Sequence, residues 1–281
     1  MPSSPAARPV DERRVLEPAT RSRCYFPAGG GAVIRKWWIV LGPLVLLALW
    51  AAVTGLGLVR PIFLPSPWRV LATLGALLAD GPLWRDAGAT LYRTGIAFVI
   101  AAIVGVVVGV PLGVWARLYE SVEVIFDFFR SMPSPALIPL AMLLFGLGDL
   151  SRIAVAAFTC SLINAIQAAY AVRTIPRYRV LGARIAGANG LFLFVRVLMP
   201  SVLPGLVAGW RITLSLSLII VVVSEMFIGT RTGLGMRIYD FHLMFRSAEM
   251  YASVLVVGII GYVLNKIVEV AEKHFVHWSG R

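Results

Sequence analysis

The sequence predicts an all-α integral membrane protein with six transmembrane helices. Three observations support this fold class: 59% of the 281 residues are hydrophobic, only 14% are charged, and long uncharged windows follow one another along the chain. A soluble domain carries about 25% charged residues, so the deficit indicates lipid as a solvent for the surface. Only helices or closed barrels satisfy the backbone in lipid, and these windows do not alternate as barrel strands do.

The first 36 residues are predicted to form a disordered cytoplasmic tail ahead of a transmembrane domain at 37–275. They are rich in Pro, Arg, Ser and Gly and contain few of the residues that build a core. No apolar stretch precedes residue 37, so the tail lacks the pattern of a cleavable signal peptide. We therefore expect the first span to act as an uncleaved anchor.

Six apolar windows approach the roughly 20 residues that a helix needs to cross the hydrocarbon. They predict spans at about 38–59, 90–116, 131–148, 152–173, 200–230 and 248–272. The start of the third span is expected to be bent or delayed by Pro133, Pro135 and Pro139. Between the first two spans, residues 65–85 begin with a Pro-Ser-Pro turn and are predicted to form a short amphipathic helix on the outer surface.

The second predicted helix carries a series of small residues. Gly105, Gly109 and Gly113 recur at every fourth position. Such a series permits the close approach of another helix backbone. We expect the partner helix to belong to the same subunit.

The basic residues set the predicted orientation. The chain has 26 Lys and Arg against 14 Asp and Glu, giving a net charge of +12. These charges lie in short segments between apolar runs, which suits membrane topology better than a nucleic-acid-binding face. The positive-inside rule then places the N-terminus in the cytoplasm, and with it the segment 173–197.

A polar, arginine-bearing insert at 181–200, LGARIAGANGLFLFVRVLMP, lies between very apolar stretches. Residues 177–187 and 190–198 can each form a short helix, and Gly187 permits a sharp turn between them. Two short helices joined at a small residue would form a compact knob for contact with a cytoplasmic partner. An ordinary basic cytoplasmic loop is the alternative interpretation.

The spacing of this insert resembles the coupling loop of ATP-binding-cassette importer permeases. The family pattern is E-A-A-x-x-x-G, nine residues, then I-x-L-P; Ala183, Gly187, Val197, Met199 and Pro200 fall on that spacing. Leu181 and Gly182 replace the usual Glu and Ala, so either packing holds the loop, coupling is weaker, or the partner ATPase has adapted. The resemblance implies ATPase coupling through Ala183, Arg184, Gly187, Ala188 and Pro200.

The resemblance extends over about residues 60–275. The stretches FLPSPWRVL at 63–71 and LWRDAGATLYR at 83–93, together with 128–153 and 204–227, resemble the nitrate, sulfonate, taurine and bicarbonate branch of these permeases. This implies a type I importer permease in a bacterial inner membrane, carrying a small and mostly anionic solute. The implied partners are a second permease subunit (most simply a homodimer), two ATP-binding subunits that hold ATP and Mg, an external solute-binding protein, and lipid.

The chain itself is not expected to be an ATPase or to bind a metal. A phosphate-binding P-loop requires Gly-Lys-Ser/Thr, but the three lysines precede Trp37, Ile267 and His274. His274 and His277 lack a third ligand nearby, so no metal site is predicted. No cofactor is expected in this chain.

Polar residues recur on one side of the fourth helix. Ser161, Asn164 and Gln167 are spaced i, i+3, i+6. With Ser134 in the third span and Ser215 in the fifth, they form a candidate solute pathway that would bind an oxyanion through neutral donors. Interhelical hydrogen bonding, a common role for such residues in membranes, is the alternative.

Arg211 and Glu225 place two charges inside the fifth predicted span. They are 14 residues apart, or about 21 Å along a helix, and so do not pair on one straight helix. Charges within a membrane usually face a cavity, a partner or an interface. We assign both residues a gating or structural role: Glu225 lies near the outer gate or dimer axis, or tethers two helices.

The functional prediction is therefore a permease subunit working by alternating access, with two rival classes. A secondary transporter driven by an ion gradient would usually show more helices, inverted repeats and ionisable residues at the midplane. A membrane enzyme would require clustered carboxylates or histidines, and none cluster in the sequence. An ATPase that co-purifies and uptake that requires ATP hydrolysis would exclude both rivals.

Overall fold

The computed structural model describes residues 31–79, 81–229 and 231–275, with side chains from residue 40 to residue 274. All regular elements in these ranges are helices, which confirms the all-α prediction. They are α1 (Gly31–Gly55), α2 (Pro67–Leu78), α3 (Gly81–Val114), α4 (Ala116–Ser131), α5 (Ile138–Phe145), α6 (Asp149–Arg173), α7 (Arg177–Ile185), α8 (Gly190–Phe192), α9 (Met199–Ile228), α10 (Leu234–Leu243) and α11 (Ser247–Phe275).

Four helices in the described ranges are long and apolar enough to cross a membrane. They are Gly81–Val114, Asp149–Arg173, the continuous helix Gly190–Ile228, and Ser247–His274. A bent pair formed by α4 and the segment Ser134–Phe145 makes a fifth if it is counted as one span. The first predicted span falls on α1, whose apolar part with described side chains is Val40–Gly55, so the number six stays a prediction.

The N-terminal tail predicted at 1–36 lies mostly outside the described residues. Helix α1 begins at Gly31, within the last part of the predicted tail. The domain boundary at 36 is therefore not visible as a break in the chain, and the disorder predicted for the tail stays a prediction.

Helix α3 begins at Gly81, nine residues before the predicted start of the second span at 90. Pro82 occupies its first turn, where a missing N–H costs no intrahelical bond. The early start places Asp86 inside the helix as well. The preceding α2 has Ser66 as its N-cap, and it buries Val70 and Leu77 in a cluster with residues of α10 and α11.

The third span, predicted at 131–148 with a bent or delayed start, is bent in the structure. Helix α4 ends at Ser131, Met132 is extended (φ −75°, ψ 131°) as expected before a proline, and α5 is eight residues long. A 3₁₀ turn at Ser134–Leu137 connects them, and the two parts meet at a bend of 94°. Of the two effects predicted for the prolines, a bend or a delayed start, the structure shows the bend.

Helix α6 packs against both α3 and α9, and α3 also contacts α9. A Cβ atom added at Gly113 would lie 2.5 Å from Val172 Cβ of α6, and Gly105 and Gly109 pack as closely against Asn164 and Ala165. This confirms that the glycine series packs within the subunit. We call the end where α6 begins and α9 finishes the α10 end, and the opposite end the α7 end.

Candidate functional site

The α7 end carries a projecting helix–turn–helix, residues 177–198, which we call the knob. Helix α7 closes with paired bonds: the N–H of Ala188 donates to the Ala183 carbonyl and that of Gly187 to the Arg184 carbonyl, both at 3.0 Å. Gly187 has φ +83°, the left-handed conformation that this helix ending requires. The sharp turn predicted at Gly187 is therefore confirmed.

The second helix of the knob does not stop before Pro200. Asn189 caps it by accepting a 2.9 Å bond from the N–H of Phe192, and a π-helical turn at Leu193–Leu198 then leads directly into α9. Pro200 lacks the N–H that would donate to a carbonyl four residues earlier in a regular α-helix, and the π turn lies just before it. Predicted as a separate short helix at 190–198, this segment is instead the first part of a 39-residue helix.

The outward face of α7 is apolar. Tyr178, Leu181 and Ile185 share one side of the helix and are 70%, 57% and 87% exposed. Exposed arginines flank this stripe on both sides: Arg177 and Arg184 on one, Arg179 on the other. Val180 and Ala183 lie on the opposite, half-buried side. The knob thus presents an apolar stripe with a basic rim, and exposed apolar patches of this kind mark interaction surfaces.

The candidate coupling residues all lie on the knob or just after it. Arg184 and Gly187 are exposed, while Ala183, Ala188 and Pro200 are half-buried. Pro200 is the second residue of α9. The structure therefore brings four of the five together on one turn and places the fifth one helical segment away.

Two of the candidate pathway residues lie between helices. Asn164 is 2% exposed, and its Oδ1 accepts a 3.0 Å bond from Thr213 of α9. Its Nδ2 has no hydrogen-bond partner among the described residues. Gln167 packs against Gly209 of α9, where an added Cβ would lie 3.3 Å from Gln167 Cβ. In this conformation both side chains face α9.

The three candidate serines are spread over the bundle. Ser161 donates to the carbonyl of Ala157 in its own helix, at 2.6 Å. Ser215 accepts a 2.7 Å bond from Asn265 and so joins α9 to α11. Ser134 is half-buried in the 3₁₀ turn between α4 and α5. The five pathway candidates therefore lie at separate places among the described helices and are not gathered around one cavity there.

Arg211 and Glu225 have separate partners, as their spacing predicted. Arg211 is exposed and lies 3.5 Å from Glu269 of α11. Glu225 is fully buried and lies 2.5 Å from Arg93 of α3. The Glu225 carboxylate also accepts bonds from the Thr90 hydroxyl at 3.0 Å and from the N–H of Gly235 at 2.9 Å.

A second carboxylate extends this pair into a network at the α10 end. Asp149, the first residue of α6, lies 2.9 Å from Arg93 and 2.8 Å from Arg152, which is itself 2% exposed. Arg93, Asp149, Arg152 and Glu225 form what we call the four-charge network. Its formal charges cancel, which meets the requirement that buried charges be paired.

The four-charge network also holds the turn between α9 and α10. Arg93 donates to the Thr232 carbonyl at 2.9 Å, and Arg152 donates to the Gly229 carbonyl at 3.0 Å. The next three backbone N–H groups donate to side chains, those of Gly233, Leu234 and Gly235 to Asp86, Thr90 and Glu225. The turn is therefore fixed by side chains of α3, α6 and α9.

Sequence reasoning missed three members of this network. The sequence patterns single out Glu225 but not Arg93, Asp149 or Arg152. The available signal was the isolated Glu225 in a long apolar helix, because such a carboxylate requires a cationic partner. No feature of the sequence identifies which of several arginines supplies it.

The chain is similar to membrane components of ATP-driven importers. Residues 101–279 match the family of binding-protein-dependent transport system inner membrane components. A probable ABC transporter permease of Brucella abortus is 31% identical over 234 residues, which cover 83% of this chain and 91% of that protein. The taurine transport system permease protein of Escherichia coli is 28% identical, covering 88% and 91%. The nitrate import permease protein of Leptolyngbya laminosa is 28% identical, covering 67% of each.

The fold has a counterpart among solved structures. A chain of the MetNI methionine ABC transporter, in inward-facing conformations, superposes with a TM-score of 0.56 and 25% identity. The superposition covers 71% of this chain and 95% of that chain. The helical arrangement described above thus accounts for nearly all of the solved chain.

Proposed function

Because the chain belongs to the family of binding-protein-dependent transport system inner membrane components, we propose that it moves a small anionic solute by alternating access. It is the permease subunit of an ABC importer, and ATP hydrolysis takes place on separate subunits. The proposal has three further parts. They are the direction in which the chain is inserted in the membrane, the contact of the knob with an ATP-binding subunit, and the class of solute.

The proposal rests on the exposure of the knob and on its connections to the central helices. Its apolar stripe is exposed, and the segment is continuous with α9 and connected through Pro176 to α6. A displacement of the knob is therefore transmitted directly to two of the central helices. In the proposed cycle, closure of two ATP-binding subunits moves the knob, and the attached helices tilt to expose the pathway to one side and then the other.

The proposed orientation places the N-terminus and the knob in the cytoplasm. The arginines that flank the apolar stripe support this, since cytoplasmic segments carry an excess of Arg and Lys. The apolar stripe and its flanking arginines also predict the chemistry of the partner surface. An apolar groove with acidic residues at its edges would fit them. We assign that groove to the ATP-binding subunit.

Reconstitution tests the proposed function. The chain, its ATP-binding subunit and its solute-binding protein are placed in proteoliposomes, and uptake of sulfonates, nitrate and aromatic acids is measured with and without ATP. We expect uptake that requires ATP hydrolysis and the binding protein. Uptake driven by a proton or sodium gradient without ATP would favour the secondary transporter instead.

The anionic solute is proposed from two independent considerations. Relatives of this chain are named for taurine, aliphatic sulfonates and nitrate. The candidate pathway residues offer neutral donors, which bind an oxyanion without trapping it as a fixed cation would. A binding protein that prefers cations or neutral sugars in direct titration would contradict this assignment.

The pathway role of Asn164 and Gln167 is tested by alanine substitution. If these amides contact the solute when α6 and α9 separate, Asn164→Ala and Gln167→Ala should raise the solute concentration needed for half-maximal uptake. Ser121→Ala is the control, because Ser121 lies on α4, outside the candidate pathway, and its hydroxyl bonds to its own helix. An unchanged uptake curve for both amide variants would remove them from the pathway.

A further inference from the structure

The α10 end of the bundle is joined by charges rather than by apolar packing alone. The four-charge network links three helices, with Arg93 on α3, Asp149 and Arg152 on α6, and Glu225 on α9. Through Arg93, Arg152 and Glu225 it also fixes the turn that begins α10. Four segments that are distant in sequence therefore meet at one set of ion pairs.

The centre of the network is buried, whereas its outer member Asp149 is 48% exposed. Glu225 is fully buried, and Arg93 is 3% exposed. A Cβ atom added at Gly233 would lie 2.6 Å from Glu225 Oε2, so the turn is packed directly on the carboxylate. Moving α9 away from α3 would leave the buried Glu225 carboxylate without its cationic partner, which is far more unfavourable than losing a neutral hydrogen bond.

The α7 end is built differently. Within the described residues, α4, α7, α8 and the π turn contain no buried side chain. Elements with few buried contacts are those that open and move most readily. At this end α3, α6 and α9 are joined by an apolar cluster that includes Val110, Val172 and Val202, and the described elements around them carry no buried side chain.

We propose that the four-charge network is a clamp that stays closed in both states of the transport cycle. It keeps the α10 ends of α3, α6 and α9 and the start of α10 together, so these helices separate from one another only farther from this junction. Arg93, Arg152 and Glu225 are positioning residues in this scheme. The inference rests on the proposed transport function, since it concerns the states of that cycle.

Cysteine accessibility tests the clamp in the complete transporter. Ser224 lies next to Glu225, is fully buried, and its Oγ has no hydrogen-bond partner within the described ranges, so Ser224→Cys removes no bond. The variant is made in a background with Cys24 and Cys160 replaced by Ala, in proteoliposomes with the ATP-binding subunit. A membrane-impermeant maleimide is applied to both faces without nucleotide, with ATP, and with an ATP analogue that is not hydrolysed.

We expect the Ser224→Cys thiol to stay unreactive in all three conditions while ATP-dependent uptake continues. Met244→Cys, 65% exposed just after α10, is the control that should react in all three. Labelling of the Ser224→Cys protein in any nucleotide condition would show that the clamp opens and would overturn the proposal. Uptake measured on the same vesicles separates this result from failure of the proposed function, which would appear as absent uptake.

A second variant tests the clamp independently if Ser224→Cys does not fold. Ala97 is fully buried on α3, one turn from Arg93. Ala97→Cys reports on the same junction from the opposite helix and should be equally protected. If it is labelled in one nucleotide state and not in another, α3 separates from its neighbours during the cycle and the clamp is refuted.

Discussion

At the residue scale, the most informative side chain is Glu225, because its role depends on the side chains that surround it. Alone in an apolar helix it would be an unfavourable charge; in the folded chain it is one of four charges that cancel. Arg93 contributes most of its donors to two carboxylates and to the Thr232 carbonyl. A guanidinium suits this position because it presents several donors in a fixed plane.

Charge balance gives the first prediction. Glu225→Gln and Arg93→Met each leave one uncompensated buried charge, and each should lower the free energy of unfolding by about 3–5 kcal/mol. The double variant restores neutrality and should be more stable than either single variant. Thermal unfolding of the protein in detergent measures the three effects.

The control for that series is an exposed pair. Arg130 and Asp127 lie 2.9 Å apart and are both 56% exposed. Asp127→Asn should change the free energy of unfolding by less than about 1 kcal/mol, since solvent screens such pairs. A double variant of the buried pair that is less stable than both singles would show that the network is not held by charge balance.

Leu181 gives the second prediction. It is 57% exposed at the centre of the apolar stripe, where the family usually has Glu. If the stripe enters an apolar groove of the ATP-binding subunit, Leu181→Glu buries an unpaired charge on assembly. We expect weaker association and lower solute-stimulated ATPase activity, with the melting temperature of the chain unchanged.

Leu243→Glu is the matched control for Leu181→Glu. Leu243 is 58% exposed at the α10 end, far from the knob, so the same change of chemistry occurs at the same exposure. Its ATPase activity should remain at the level of the unmodified protein. Equal activities for both variants and the parent protein would mean that position 181 is indifferent to coupling.

At the element scale, the knob depends on a single turn. The paired bonds that end α7 require a left-handed residue, and Gly187 supplies it in open space with no atom within 4 Å of an added Cβ. Glycine is therefore favoured at this position by its backbone conformation, since an added Cβ would meet no neighbouring atom. The continuous helix that follows makes this turn the junction between knob and bundle.

The third prediction concerns that turn. Gly187→Ala should cost roughly 1–2 kcal/mol in the local stability of the turn, because an L-residue resists the left-handed conformation. Coupling depends on the direction of α7, so solute-stimulated ATPase activity should fall while the fold of the bundle is retained. Hydrogen exchange of residues 183–189 and the ATPase assay together measure this.

Gly182→Ala is the control for the turn. Gly182 lies within α7, has no positive φ, and also has open space around an added Cβ. Alanine there should stabilise the helix by about 0.5–1 kcal/mol and leave coupling intact. Parallel loss of activity in both variants would indicate that α7 tolerates no side chain at its surface, rather than a requirement of the turn.

At the scale of the whole molecule, one knob per chain implies an assembly. Two ATP-binding subunits need two knobs, so the fourth prediction is a complex of two copies of this chain with two ATP-binding subunits. Native mass measurement of the purified complex should give this ratio. A stable, active complex with one copy of the chain, or with a different permease chain as partner, would contradict the homodimer.

Several features follow from the sequence because they depend on neighbours in the chain. The apolar windows specify helices in lipid, Gly187 specifies a turn, and Gly105, Gly109 and Gly113 specify a close helix contact. The break in the third span was partly predictable, since Pro133 and Pro135 lie at its start. The prolines predicted a bend or a delayed start, and the two helical pieces meet at 94°, an angle that the sequence does not specify.

The sequence by itself determined the solvent of this protein, the helical character of its spans, and the position of the polar insert, because composition and local conformational preference act over a few residues. Only the tertiary structure decided that Glu225 pairs with Arg93, that Arg152 reaches the Gly229 carbonyl, and that the knob continues unbroken into α9. Those contacts join residues that are far apart in the chain. The physical reason is that the partner of a buried charge depends on distance and geometry in the folded state, and the order of the residues specifies neither.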